Sequence, residues 1–154
     1  MSHAIARVTS AAEFQLLFEV LLEYERSLAE DLRHGAEPTL TSVREKYQEP
    51  NAAFLAPLDG DVAGCVAAIP LDSSTVVLHH LYVKPAYRKH GLARALVEAV
   101  IHFARDRGFA RVVLDTDRER LPAAYNLYVS LGFTSCDAYA TVDYRHPTFL
   151  ELVL

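Results

Sequence analysis

Apolar residues recur at helical spacing in the first third of the chain. Over residues 14–32 they stand three or four positions apart, which predicts a helix with one face packed inward. Ser10 and Glu13 have the spacing of a capping box and predict where this helix begins, while His34–Gly35 predicts its end. A second, shorter helix is predicted over residues 40–47.

From residue 53 onward the pattern changes to one typical of strands. Two apolar runs flank Asp59–Gly60, a dipeptide that favours a tight turn, and together they predict a β-hairpin. The runs 75–83 and 111–116 predict two further strands, separated by a helix that ends at Gly108. A strand, a helix and a strand in this order predict a crossover between parallel strands.

The remaining segments complete an α/β pattern. Pro122 suits the first position of a helix, and Gly132 suits its end. Short strands are predicted over residues 5–8, 133–142 and 148–154. Because strands predominate early and late with helices between them, we expect an α/β fold built on a mixed sheet.

Length and composition indicate one globular domain over residues 1–154. Apolar types make up 51% and charged types 23%, which excludes a disordered chain. The net charge of −5 argues against nucleic acid or an anionic membrane surface as the main partner. We see no membrane span or secretory signal, and Cys65 and Cys136 stand in apolar contexts, so a cytoplasmic location is expected.

The segment after Pro85 carries the strongest chemical signal. A strand ends before it, and a helix opens after Gly91, so unpaired N–H groups and the positive end of the helix dipole lie together there. Gly91 lets a ligand approach the backbone, and Arg88, Lys89 and Arg94 add cationic donors. These features suit a diphosphate, although an exposed loop with solvated basic side chains has the same composition.

Three motifs extend this signal along the chain. They are Leu81-Tyr82-Val83-x-Pro85, Arg88-x-x-Gly91-x-Ala93 and Ala124-x-x-Leu127-Tyr128-x-x-Leu131-Gly132-Phe133. In this order they resemble the GNAT superfamily of N-acetyltransferases, in particular its small single-domain bacterial members. The resemblance implies a mixed, largely antiparallel central sheet with a splayed parallel strand pair and about four helices. It also implies acetyl-CoA as the cosubstrate.

The resemblance assigns roles to individual residues. The cofactor-binding residues it implies are Leu81, Tyr82, Val83, Arg88, Lys89, His90, Gly91, Leu92, Ala93 and Arg94. Tyr128 matches the family's tyrosine near the thioester sulfur, where it acts as general acid; the alternative is a packing residue whose hydroxyl reaches solvent. The family often has Asn at the position of Leu121, so one cofactor hydrogen bond is expected to be missing or relocated here.

The position where many family members have a catalytic Glu differs in this chain. Val77 stands where many members have Glu, and it cannot take a proton. His79 lies two residues on and therefore on the same face of the strand, so we take it as the candidate base, with plain packing against the sheet as the alternative. Glu23 and Glu25 on the first helix are further candidates for the base. His80 is expected on the opposite face, which makes it a weaker base and prevents the two histidines from sharing a metal ion.

The acceptor site is the least determined part. Tyr24, Glu25 and Tyr139 fall in segments that wall this site in the family, and they suit a small-molecule amine. No metal-binding motif is present, so no metal is expected. The apolar end over residues 149–154 permits a homodimer. A module that binds acyl-CoA with little or no turnover is the alternative function.

Overall fold

A seven-stranded sheet organises residues 4–154, the part of the chain that the computed structural model describes. The strands are β1 (Ala6–Arg7), β2 (Ala52–Leu58), β3 (Asp61–Pro70), β4 (Thr75–Val83), β5 (Arg111–Thr116), β6 (Thr134–Ser135) and β7 (Thr148–Val153). Their order is β1-β2-β3-β4-β5-β7-β6, and every neighbouring pair is antiparallel except β4 and β5. The predicted mixed, largely antiparallel sheet with one parallel pair is therefore confirmed.

Four α-helices cover the two faces of this sheet. They are α1 (Ala11–Ser27), α2 (Leu40–Lys46), α3 (Leu92–Asp106) and α4 (Pro122–Ser130). One apolar layer lies between the sheet and α3 and includes Leu96, Val100 and Leu114. The opposite layer lies under α1 and α2 and includes Leu17 and Val43. Between residues 4 and 154, no helix has both the length and the apolar character that a membrane crossing requires.

The start of α1 was predicted correctly, but its end was not. Ser10 and Glu13 form the expected capping box. The helix ends at Ser27 rather than at His34, and a short 3-10 turn, Glu30–Leu32, follows it. The Glu25 carboxylate accepts hydrogen bonds from the backbone N–H of His34 at 3.1 Å and contacts its ring Nδ1 at 2.6 Å. These contacts fold the chain back beside the helix instead of extending it.

The predicted strand over residues 133–142 is wrong beyond its first residues. Only Thr134–Ser135 form a strand, and the chain then leaves the sheet. The hydroxyl groups of Tyr139 and Tyr144 donate to the carboxylate of Asp115, at 2.5 and 2.8 Å. These two long-range bonds hold the segment as a loop across the end of β5.

A β-bulge interrupts β4 at its middle. Tyr82 pairs with Cys65 and His79 pairs with Ala67, so two residues of β4 stand opposite one residue of β3. His80 adopts a left-handed conformation, with φ of 57°, at this point. The bulge breaks the alternation of side chains, so the prediction that His79 and His80 point to opposite faces is wrong. Their ring centroids are only 5.4 Å apart.

Gly64 allows β3 to pass the bulged part of β4. A Cβ atom at this position would stand 2.3 Å from the carbonyl oxygen of Tyr82, which is backbone and cannot rotate away. We expect Gly64→Ala to lower the free energy of unfolding by about 3 kcal/mol, because strands must separate to admit the methyl group. Urea unfolding of wild type and variant measures this.

The matched control for that prediction is Gly35→Ala. Gly35 has a left-handed backbone, but a Cβ there meets nothing within 4 Å. Its replacement by alanine should therefore lower the free energy of unfolding by only about 1 kcal/mol, which is the cost of the left-handed backbone. Equal losses of stability in the two variants would show that the contact with β4 is not what requires glycine at position 64.

Glu49 connects β1 to the C-terminal end of α3 through two arginines, Arg7 and Arg107. Its carboxylate accepts from Arg7 at 2.6 Å and from Arg107 at 2.6 and 2.7 Å. Hydrogen bonds from Arg107, and then from Arg7, lower the pKa of Glu49 to about 2. The ion pairs are solvent-exposed, so their stabilisation is modest.

Acid should remove the stabilisation that the ion pairs of Glu49 provide. The folded-state pKa of Glu49 lies below its ordinary value of 4.5, so the stabilisation is complete above about pH 4.5 and is lost as pH falls towards 2. We therefore expect the stability difference between wild type and Glu49→Gln to shrink over that interval. Unfolding by urea at pH 7, 4 and 3 measures it, and a constant difference across the series would contradict the assignment.

Candidate active site

A cleft of about 1180 Å³ opens where β4 and β5 part. The parallel register runs from Thr75–Arg111 to Val77–Val113 and stops there within the described residues. Beyond that point both strands wall the cleft, β4 with residues 78–83 and β5 with Asp115 and Thr116. The edge of β4 that faces β5 therefore presents backbone N–H and C=O groups to a ligand.

One end of the cleft is the loop that leads into α3. Gly91 is the N-cap of this helix and has a left-handed backbone, with φ of 79°, and Lys89 is also left-handed, with φ of 69°. No side chain caps α3, so the first N–H groups of the helix remain available as donors. A left-handed glycine beside uncapped helical N–H groups fits the diphosphate of acetyl-CoA.

Nine of the ten predicted cofactor-binding residues line this cleft; His90 is exposed outside it. Two of the cations brace the loop itself. The Nε of Arg88 donates to the carbonyl oxygen of Val83 at 2.9 Å, and Arg94 reaches the hydroxyl of Ser130 on α4 at 3.2 Å. Arg88 and Arg94 thus fix the position of this loop and also add positive charge to it. We call residues 88–94 the cradle.

Tyr128 stands on α4 at the cleft wall. Its side chain is 5% exposed, and its ring packs 5.8 Å from that of Phe133. Burial raises the pKa of Tyr128, and the negative charge of Asp115 raises it further. The phenol therefore carries its proton at neutral pH, as a general acid must.

His79 lies in the β4 wall of the same cleft. Burial lowers the pKa of His79 to about 4, although the charge of Asp115 opposes this effect. The imidazole is therefore neutral at neutral pH and keeps a lone pair. The candidate acid and the candidate base thus line the same cleft from two different elements, α4 and β4.

The three predicted acceptor residues are placed differently from one another. Tyr24 lines the cleft, with its ring 5.3 Å from that of Tyr82. Glu25 is buried beside it, and its carboxylate contacts His34 rather than forming the cleft wall. Tyr139 does not line the cleft, but its hydroxyl donates to Asp115, which does.

Three charged residues of the cleft lining, Asp115, Asp117 and Arg120, were missed from the sequence. Arg120 donates to both carboxylate oxygens of Asp31, at 2.8 and 2.9 Å, and to Asp117 at 2.6 Å. This network ties the turn after α1 to the start of α4 across the cleft mouth. For Asp115 the one signal was a carboxylate that directly follows the apolar run Val112–Leu114.

Comparison with known proteins agrees with this geometry. The family model described as "Acetyltransferase (GNAT) family" matches residues 16–133. Human N-acetyltransferase 8 is 41% identical over 85 residues, which are 52% of this chain and 37% of that protein. The chain thus spans little more than a third of that relative's length. An uncharacterised N-acetyltransferase of Schizosaccharomyces pombe is 31% identical over 131 residues, 82% of this chain and 78% of that protein.

Solved structures show the same fold. The phosphinothricin acetyltransferase of Sinorhizobium meliloti, determined in complex with acetyl-CoA, superposes with a TM-score of 0.80 at 16% identity, covering 100% of this chain and 89% of that one. Identity at that level establishes the fold alone. The family match over residues 16–133 and the likeness to the Schizosaccharomyces pombe relative over 82% of the chain show that the chain belongs to the GNAT acetyltransferase family.

Proposed function

We propose that this chain transfers an acetyl group from acetyl-CoA to a primary amine of a small molecule. The observation that carries the proposal is the cleft between β4 and β5. It has uncapped helical N–H groups at one end and a protonated phenol in its wall. We also propose that residues 1–154 form one acetyltransferase domain, since the described strands share a single sheet. The two free cysteines support a cytoplasmic location.

The loop and the strand edge have separate binding tasks. Backbone N–H groups at residues 91–94 hold the diphosphate, and Lys89 adds charge there. The unpaired edge of β4 beyond Val77 holds the pantetheine arm as an added strand would be held. Acetyl-CoA supplies the activated thioester, and the chain's own residues supply orientation and protons.

In this proposal Tyr128 donates a proton and His79 accepts one. The buried phenol of Tyr128 donates its proton to the departing sulfur, and burial keeps that proton in place until it is needed. The neutral imidazole of His79 accepts the proton that the amine loses. A backbone N–H of the β4 edge stabilises the negative charge that develops on the acetyl oxygen.

The acceptor end favours a cation. Asp31, Asp115 and Asp117 line it, with Arg120 engaged by two of these carboxylates. A protonated amine is therefore drawn towards the cleft, and the ring of Tyr24 offers it an apolar or cation–π contact.

Two measurements test the proposal. Calorimetry with acetyl-CoA should show one equivalent bound, and thiol release from acetyl-CoA should accelerate with members of a panel of aliphatic and aromatic primary amines. Each active amine is paired with its N,N-dimethyl counterpart, which cannot form a neutral amide and should be inactive. Binding without any amine-dependent release would favour the acyl-CoA-binding module instead, and no binding would overturn both functions.

A further inference from the structure

Three metal-ligating side chains converge beside the acceptor end of the cleft. Glu25 comes from α1, His34 from the segment after the 3-10 turn, and His80 from the bulge in β4. Each offers a donor atom, and these atoms all lie within 4.8 Å of one another. The rings of His34 and His80 have centroids 4.6 Å apart. Two imidazoles and one carboxylate thus meet from three separate parts of the chain.

His80 provides a second, independent observation. Its side chain is buried, with 9% exposure, and within residues 4–154 its Nδ1 is a buried polar atom with no hydrogen-bond partner. An unpaired buried nitrogen costs free energy, so native structures rarely leave one without a reason.

We propose that Glu25, His34 and His80 form a binding site for a divalent transition-metal ion, with zinc as the ion that best suits the donors. Two imidazoles and a carboxylate are borderline ligands that zinc accepts, whereas magnesium and calcium prefer oxygen ligands throughout. Both histidines line the cleft, so an ion held by them would be accessible from the cleft. This is the three-ligand arrangement of an open zinc site.

Side-chain movements of about 1 Å would build the site. His34 Nδ1 and Glu25 Oε1 are already 2.6 Å apart. Zinc–ligand bonds of about 2.0–2.1 Å place neighbouring ligand atoms roughly 3.3 Å apart. These two atoms must therefore separate by about 0.7 Å, and donor atoms that lie up to 4.8 Å apart must approach by up to about 1.5 Å. The exposed ring of His34 can supply that shift together with the Nε2–H tautomer that frees Nδ1 for the metal.

The test uses the whole chain, freed of metal by a chelator and titrated with Zn²⁺ against a chromophoric chelator. We expect one equivalent to bind, with affinity lowered at least a hundredfold in His34→Ala and at least tenfold in Glu25→Gln. His102→Ala, an exposed histidine on α3, is the control and should bind like wild type. Titration with Co²⁺ should give the visible bands of a tetrahedral site in wild type and lose them in His34→Ala.

His34→Cys separates ligation from structure. A thiolate binds zinc but cannot replace the short contact between His34 and Glu25, so this variant should regain tight zinc binding if the site is a metal site. No saturable binding in wild type, equal affinity in wild type and His34→Ala, or an equal loss in His102→Ala would overturn the proposal. The titrations contain no acetyl-CoA, so their outcome is independent of the proposed acetyl transfer.

Discussion

Tyr128→Phe is expected to lower turnover of acetyl-CoA with an active amine by about a hundredfold, the usual contribution of a positioned general acid. The substitution removes the hydroxyl and keeps the ring, so the packing against Phe133 remains. The departing sulfur would then leave as a thiolate without its proton. Steady-state thiol release measures kcat, and calorimetry on the same sample measures the affinity for acetyl-CoA, which should stay close to that of wild type.

Tyr125→Phe is the matched control on the same helix. Tyr125 is half-buried on α4, and the guanidinium of Arg118 lies 5.8 Å from its ring centroid. It lies outside the cleft wall, so the loss of its hydroxyl should leave kcat unchanged. If both variants keep full turnover, the proton comes from another donor and the role given to Tyr128 is wrong.

The cradle and α4 could be predicted because they are local in sequence. A helix start needs only a few residues, and the left-handed turn at Gly91 needs one glycine, so the motif over residues 88–93 contains its own structural information. The same holds for Pro122 at the start of α4.

The bulge in β4 could not be predicted in this way. It depends on the register of β4 against β3 and on Gly64, which makes room for the carbonyl of Tyr82. One extra residue at this point turns His80 into the same region as His79 and towards His34. If side chains are assumed to alternate between the two faces along the whole strand, every residue beyond the extra one is assigned to the wrong face.

The acceptor end depends on contacts between distant residues. Asp115 is held by Tyr139 and Tyr144, from a loop that had the composition of a strand. Arg120 meets Asp31 across 89 positions of the sequence. Periodicity carries no information about such pairs, so the sequence places the acceptor residues only by segment.

Gly91→Val is expected to weaken acetyl-CoA binding by about a hundredfold. Valine strongly disfavours a left-handed backbone, and at the N-cap of α3 it must either distort the turn or hold a branched side chain over the N–H groups of the cradle. A loss of that size corresponds to about 2.7 kcal/mol of binding free energy, comparable to one or two lost charge-assisted hydrogen bonds. Calorimetry with acetyl-CoA measures it directly.

Gly108→Val distinguishes a damaged binding site from a damaged helix. Gly108 follows the other end of α3 with φ of 79°, the same value as Gly91, and a Cβ there meets nothing within 4 Å. Both variants should lose a similar amount of stability from the same backbone strain, about 1–2 kcal/mol. Only Gly91→Val should lose affinity, because only that end of the helix directs its N–H groups into the cleft. Equal affinities in the two variants would remove the loop before α3 from the binding site and, with it, the proposed position of the diphosphate.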